Sequence, residues 1–164
     1  MIACRITDLK TFTKQLFMEQ LMDRFLVSEA GFATAQTIQI DGMINREFFG
    51  AEQPAWAADG YLPWEQLRPL CFQMIKGRRL PLSFKIVFRL PSEKLSSILE
   101  SSGASIAPED VDALFLNLVY RNDTMVLTTG TSLKIFTLDK SLDTAWDRYV
   151  RWFLEERGVS WEEA

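Results

Sequence analysis

Residues 2–6 alternate, with Ile2, Cys4 and Ile6 on one face and Ala3 and Arg5 on the other, which predicts a half-buried strand. Thr7 or Asp8 then caps a helix. Leu9, Phe12 and Leu16 follow at helical spacing, with Lys10, Lys14 and Gln15 on the polar side. From Arg24 to Phe49 the period becomes two. A strand through Phe25 and Val27 ends near Gly31, and Thr37-Ile38-Gln39-Ile40 is a second. Asp41-Gly42 reads as a two-residue hairpin turn, because both positions tolerate positive φ, and Met43 to Phe49 reads as the returning third strand.

Residues 50–62 hold Gly50, Pro54 and Gly60, which predicts a loosely wound connection. From Trp64 to Ile75 the spacing is helical, through Leu67, Leu70, Cys71 and Met74. Pro69 either kinks that helix or sits in its first turn. Gly77 and Pro81 close it.

A second run then opens. Phe84, Ile86, Phe88 and Leu90 alternate with Lys85, Val87 and Arg89 as a strand. Pro91-Ser92-Glu93 starts a helix with the stripe Leu95, Ile98 and Leu99, and Gly103 ends it. Ala113 to Tyr120 is apolar on both faces and reads as a central strand. Asn122-Asp123 turns it into Met125–Thr129, and Gly130 turns that into Leu133–Leu138. Asp139 or Ser141 caps a last helix whose stripe is Leu142, Ala145, Trp146, Tyr149, Val150 and Phe153. Trp152 falls off that stripe.

The element order thus predicts an α+β fold in one domain, 1–164, built on a tandem β-α-β-β-β repeat. Repeat one spans about 1–49 and repeat two about 82–138. A helical insert, 50–81, lies between the repeats, and a C-terminal helix covers 139–158. Cys4-Arg5-Ile6 precedes the first helix as Phe88-Arg89-Leu90 precedes the second of the repeat, with the register slipped by one residue.

A tandem β-α-β-β-β pair resembles one domain of the DNA sliding clamps. The run Phe84-Lys85-Ile86-Val87-Phe88-Arg89-Leu90-Pro91-Ser92-Glu93-Lys94-Leu95 is similar to a clamp domain's opening strand and helix, and so is Met1-Ile2-Ala3-Cys4-Arg5-Ile6. The resemblance covers about 1–49 and 82–138. It implies two helices on the inner face of a ring, facing nucleic acid. The whole chain also resembles an uncharacterised family of small proteins from clostridia and their relatives, which implies no activity.

Composition narrows the chemistry. The chain has 164 residues, a formal charge of −4 and no histidine. Without histidine there is no Ser-His-Asp or Cys-His pair and no His-based metal site. Lys76-Gly77-Arg78-Arg79 lacks the first glycine and the Ser/Thr of a phosphate loop. Cys4 and Cys71 sit in apolar surroundings, as reduced core thiols do. No stretch has the length of a membrane span or the pattern of a secretory leader, so a cytoplasmic location and no membrane contact are expected.

The candidate contacts follow. If helices face DNA, phosphates would meet Lys10 and Lys14 on the first and only Lys94, beside Glu93 and Glu100, on the second. The best basic cluster is Lys76, Arg78 and Arg79, with Arg68 one or two turns back, although the negative pole of the helix accounts for such charges without a ligand. Trp56, Tyr61 and Trp64, with Phe72, would line a pocket or pack the insert on the sheet, and Trp152 would be exposed or meet a partner. Asp110 and Asp112, beside Glu109, would share one face of a strand, as a cation or acid–base site or as a solvated turn. The resulting expectation is a non-enzymatic clamp-like domain, without cofactor, acting through a protein partner or self-association. A nucleic-acid-associated clamp-like factor is the alternative, and a carboxylate-based enzyme the third.

Overall fold

The alternation at the start of the chain forms strand β1 (Ala3–Ile6), and Asp8 caps the helix behind it, α1 (Leu9–Phe17). The Asp8 Oδ1 accepts the Thr11 N–H at 3.1 Å, satisfying a donor that the first helical turn leaves free. In the computed structural model, which describes all 164 residues, the other elements are β2 (Leu26–Ala33), β3 (Thr37–Asp41), α2 (Trp64–Ile75), β4 (Ser83–Arg89), α3 (Ser92–Ser102), β5 (Val111–Arg121), β6 (Thr124–Leu133), α4 (Ser141–Glu156) and β7 (Trp161–Glu163). The fold is α+β. Seven strands form one antiparallel sheet in the order β3-β2-β4-β5-β6-β1-β7.

Inward residues of alternate register, including Ile86, Phe88, Leu116, Leu118 and Leu127, meet the helices in one continuous core. The helices pack in pairs, α1 on α2 and α3 on α4. The opposite face carries Arg5, Glu29 and Lys85 in exposed ion pairs with Glu162 and with each other. β5 is central, between β4 and β6, as its run of apolar residues predicts.

The third strand of each expected repeat does not form. Residues 46–48 make a single 3₁₀ turn, and Met43 has only an isolated bridge to Tyr61. After Asp41 the chain does not turn back along β3: Gly42 N–H donates to the Ser28 carbonyl at 2.9 Å, so it runs on beside β2, where residues from farther along meet it. Val27 N–H donates to Leu62 at 2.8 Å, and Leu62 N–H donates to Gly42 at 2.9 Å. Asp41-Gly42 is therefore a crossing point, not a hairpin turn. The β2–β3 hairpin turns through 34–36 instead. Gly42 is buried against a bulge in β2, and a Cβ on it would lie 1.8 Å from the Val27 carbonyl oxygen.

In the second half, β6 runs straight through Gly130, which stands opposite Phe115 without a positive φ. Pairing with β5 ends at Leu133, so the expected strand Leu133–Leu138 is left unformed. The order in both halves is β-α-β-β. The α2 helix begins at Trp64 and contains Pro69, so it does not start late. The substitution Gly42→Ala should lower unfolding stability by about 3 kcal/mol, as overpacking against rigid backbone does, measured by urea denaturation.

Candidate functional site

A cleft of about 360 Å³ opens where the two helix pairs meet. Its walls are the 20–25 connection after α1, the first turns of α2 and α3, and the C-terminal half of α4. The floor is aromatic. On α4, Trp146, Tyr149 and Trp152 recur every three residues and so stand on one side of the helix. The Trp146 and Tyr149 rings stack at 5.6 Å, and Tyr149 meets Trp152 at 5.5 Å. Trp146 is fully buried and donates its indole N–H to the Phe115 carbonyl at 3.0 Å, whereas Trp152 is 53% exposed. The ladder therefore runs from the core to the rim. Phe25 and Phe153 close the floor edge-to-face at 5.4 Å.

The rim is charged. Arg24, Lys94 and Arg157 line the cleft without an ion-pair partner, and so do Glu65 and Glu156. The remaining carboxylate, Asp23, is buried, and Arg68 grips both its oxygens at 2.8 and 2.9 Å. This fork-shaped pairing anchors the 20–25 wall to α2. Burial raises the Tyr149 phenol above its ordinary value, against a lowering influence from Arg157, so the hydroxyl stays a donor at neutral pH.

The residues singled out from sequence divide sharply. Trp152 reaches the cleft. Trp64 does not: it is fully buried, packed edge-on against Phe17 and Phe88, with its N–H on the Leu16 carbonyl. Tyr61 lies on the outer face of the sheet beneath the Arg89 guanidinium, 4.0 Å from the ring centre. Trp56 packs against Phe49 within the insert at 5.6 Å. Arg68 is committed to Asp23, and Lys14 lies 3.6 Å from Glu19. Lys10 is exposed on α1, while Lys76, Arg78 and Arg79 trail exposed from the C-terminal end of α2.

Asp110 closes a 3₁₀ turn and a bulge separates Val111 from Ala113. The alternation expected across Asp110 and Asp112 is therefore interrupted. No three carboxylates or thiols converge in the way a cation site needs.

The sequence reading missed Arg24, Arg157 and Tyr149 as cleft residues. Tyr149 belonged to the apolar stripe of α4, and the two arginines have no local pattern that marks them. It also missed Asp59, whose carboxylate accepts both the N–H and the hydroxyl of Ser92 and so caps α3 from 33 positions away.

Burial pushes the Cys71 thiol up to about 12, and burial is also the main cause that lifts Cys4 to about 11. Both are protonated at pH 8, and neither is a nucleophile in the folded chain. Ellman's reagent at pH 8 should leave both thiols unlabelled in native protein and titrate both in denaturant.

No curated protein and no solved structure matches the chain. Residues 15–162, covering every wall of the cleft, match a family of unknown function (DUF5721). The chain belongs to that family.

Proposed function

We propose that the protein is a non-enzymatic, clamp-like binding domain that acts through protein contacts, and that the cleft between the two helix pairs takes a segment of the partner. The reading is carried by Trp152, a large aromatic held half out of the surface by the stacked rings beneath it. Exposing a tryptophan is unfavourable in isolation, and aromatics at the centre of an interface carry much of its binding energy. Contact with Tyr149 restrains the ring in advance, so less side-chain freedom is lost on binding.

The charge around it selects the occupant. Three unpaired cations face two unpaired carboxylates. The cleft therefore favours a peptide that places a bulky apolar side chain on the aromatic floor with acidic groups beside it. In this reading the two β-α-β-β halves are copies of one unit, and the clamp likeness lies in that repetition, with the insert supplying the seam at which the cleft opens.

Nucleic-acid binding draws less support. It would need a dense set of free cations on α1 and α3, yet Lys14 stands beside Glu19, which leaves one lysine on each helix, Lys10 and Lys94.

Peptides selected by display on the full chain should be acidic and aromatic. Binding measured by fluorescence anisotropy should weaken about tenfold or more in Trp152→Ala, as for an interface hot spot. Lys94→Glu should weaken it too, and that loss should shrink as salt rises. Peptides that bind wild type and both variants alike would contradict the proposal.

A further inference from the structure

We infer that the protein assembles head to tail, with the segment 135–138 of one copy seated in the α1–α2 groove of the next. The segment is anomalous twice over. Phe136 is 89% exposed and Leu138 82% exposed, with Ile135 at 42%. The backbone of 135–138 also makes no backbone hydrogen bond: the last of the strand's pairing is Lys134 N–H on the Asp110 carbonyl at 2.8 Å. The sequence alternates there like a strand, yet the chain gives it nothing to pair with. Adjacent exposed apolar side chains on unpaired backbone mark an interaction surface.

The matching cavity lies elsewhere on the same chain. A groove of about 360 Å³ is lined by Leu9 of α1, Ile75 at the end of α2, Leu80, Pro81, Phe84 and Tyr120. That volume is in the range of sites that enclose small apolar ligands, and so suits side chains such as Phe136 and Leu138. Leu80, on its lip, is 76% exposed.

Geometry selects a second copy as the occupant. The groove includes Asp123, immediately before β6 begins, whereas the segment starts just after β6 ends. The ten residues of β6 hold the two apart by about 30 Å at the rise of an extended strand. The segment therefore cannot fold back into its own groove, but a copy translated along the strand direction brings the two together.

The charges agree with this register. Lys134 precedes the apolar segment and Asp139 follows it, while the groove wall carries Asp123 and Lys10. Each charge on the segment thus has an opposite on the groove. Copies related by translation repeat this contact as an open chain or a ring, whereas a reciprocal two-fold exchange of segments would stop at a dimer. The cleft at Trp152 takes no part in it.

Sedimentation velocity on the full chain tests this, with Phe136→Asp, Leu138→Asp and Leu80→Asp as variants at exposed positions, each checked for a wild-type circular dichroism spectrum. Wild type should grow beyond a dimer as concentration rises, and each variant alone should sediment as a monomer. An equal mixture of Phe136→Asp and Leu80→Asp should give a dimer and nothing larger, because one variant keeps the groove and the other keeps the segment. Wild type that stays monomeric to its solubility limit would overturn the proposal. So would a mixture that stays monomeric, since that result fits a two-fold contact or a surface reserved for another protein.

Discussion

The indole N–H of Trp64 donates to the Leu16 carbonyl at 2.9 Å while its ring packs against Phe17 and Phe88. One side chain thereby joins the last turn of α1, the first turn of α2 and the inner face of β4. The sheet needs this junction. Its helices lie on one face only, so that face must be covered completely or it exposes apolar surface worth about 25 cal/mol for each Å². The insert approaches along the edge of β2, places Tyr61 under Arg89 on the outer face, and turns inward at Trp64. Gly42 makes the crossing possible by letting two backbones approach more closely than any side chain permits. The seam between the α1–α2 and α3–α4 pairs follows from this placement, and the cleft is that seam.

Much of the architecture was legible because it is written in short-range periodicity. The strand at Phe84–Arg89, the helix at Trp64–Ile75, the Asp8 cap and the stripe of α4 are each specified by residues a few positions apart. The errors fall where a distant segment decides the outcome. Met43 to Phe49 has strand-like character, but the bonds of Gly42 to Ser28 and Leu62 carry the chain on beside β2, so it never turns back to pair with β3. Asp41-Gly42 matches a hairpin turn in sequence, yet close contact with Val27 is what requires the glycine. Gly130 looks like a turn and instead sits within β6 across from Phe115.

The cleft was legible only in part for the same reason. Trp152 stands out locally, because a tryptophan off the apolar stripe of a helix needs an explanation. Arg24, Lys94 and Arg157 come from three separate parts of the chain, and only the fold makes them neighbours. The pairing of Arg68 with Asp23 spans 45 positions, so its loss as a free cation could not be seen. Basic residues are poor evidence of a binding surface until their acidic partners are known. Here that accounting removes Arg68 from the basic cluster at α2 and Lys14 from α1, and leaves unpaired charges around an aromatic floor.

If Trp64 is the junction on which the helical layer depends, the insert cannot open independently of the sheet. Native-state hydrogen exchange of the Trp64 indole proton, followed by NMR across low denaturant concentrations, addresses this directly. The indole should exchange only through global unfolding, with the same free energy and denaturant dependence as the amide of Leu116 at the centre of β5. Exchange of the indole through a cheaper, partial opening, while Leu116 stays protected, would mean that the insert is an appendage and that the cleft does not depend on it.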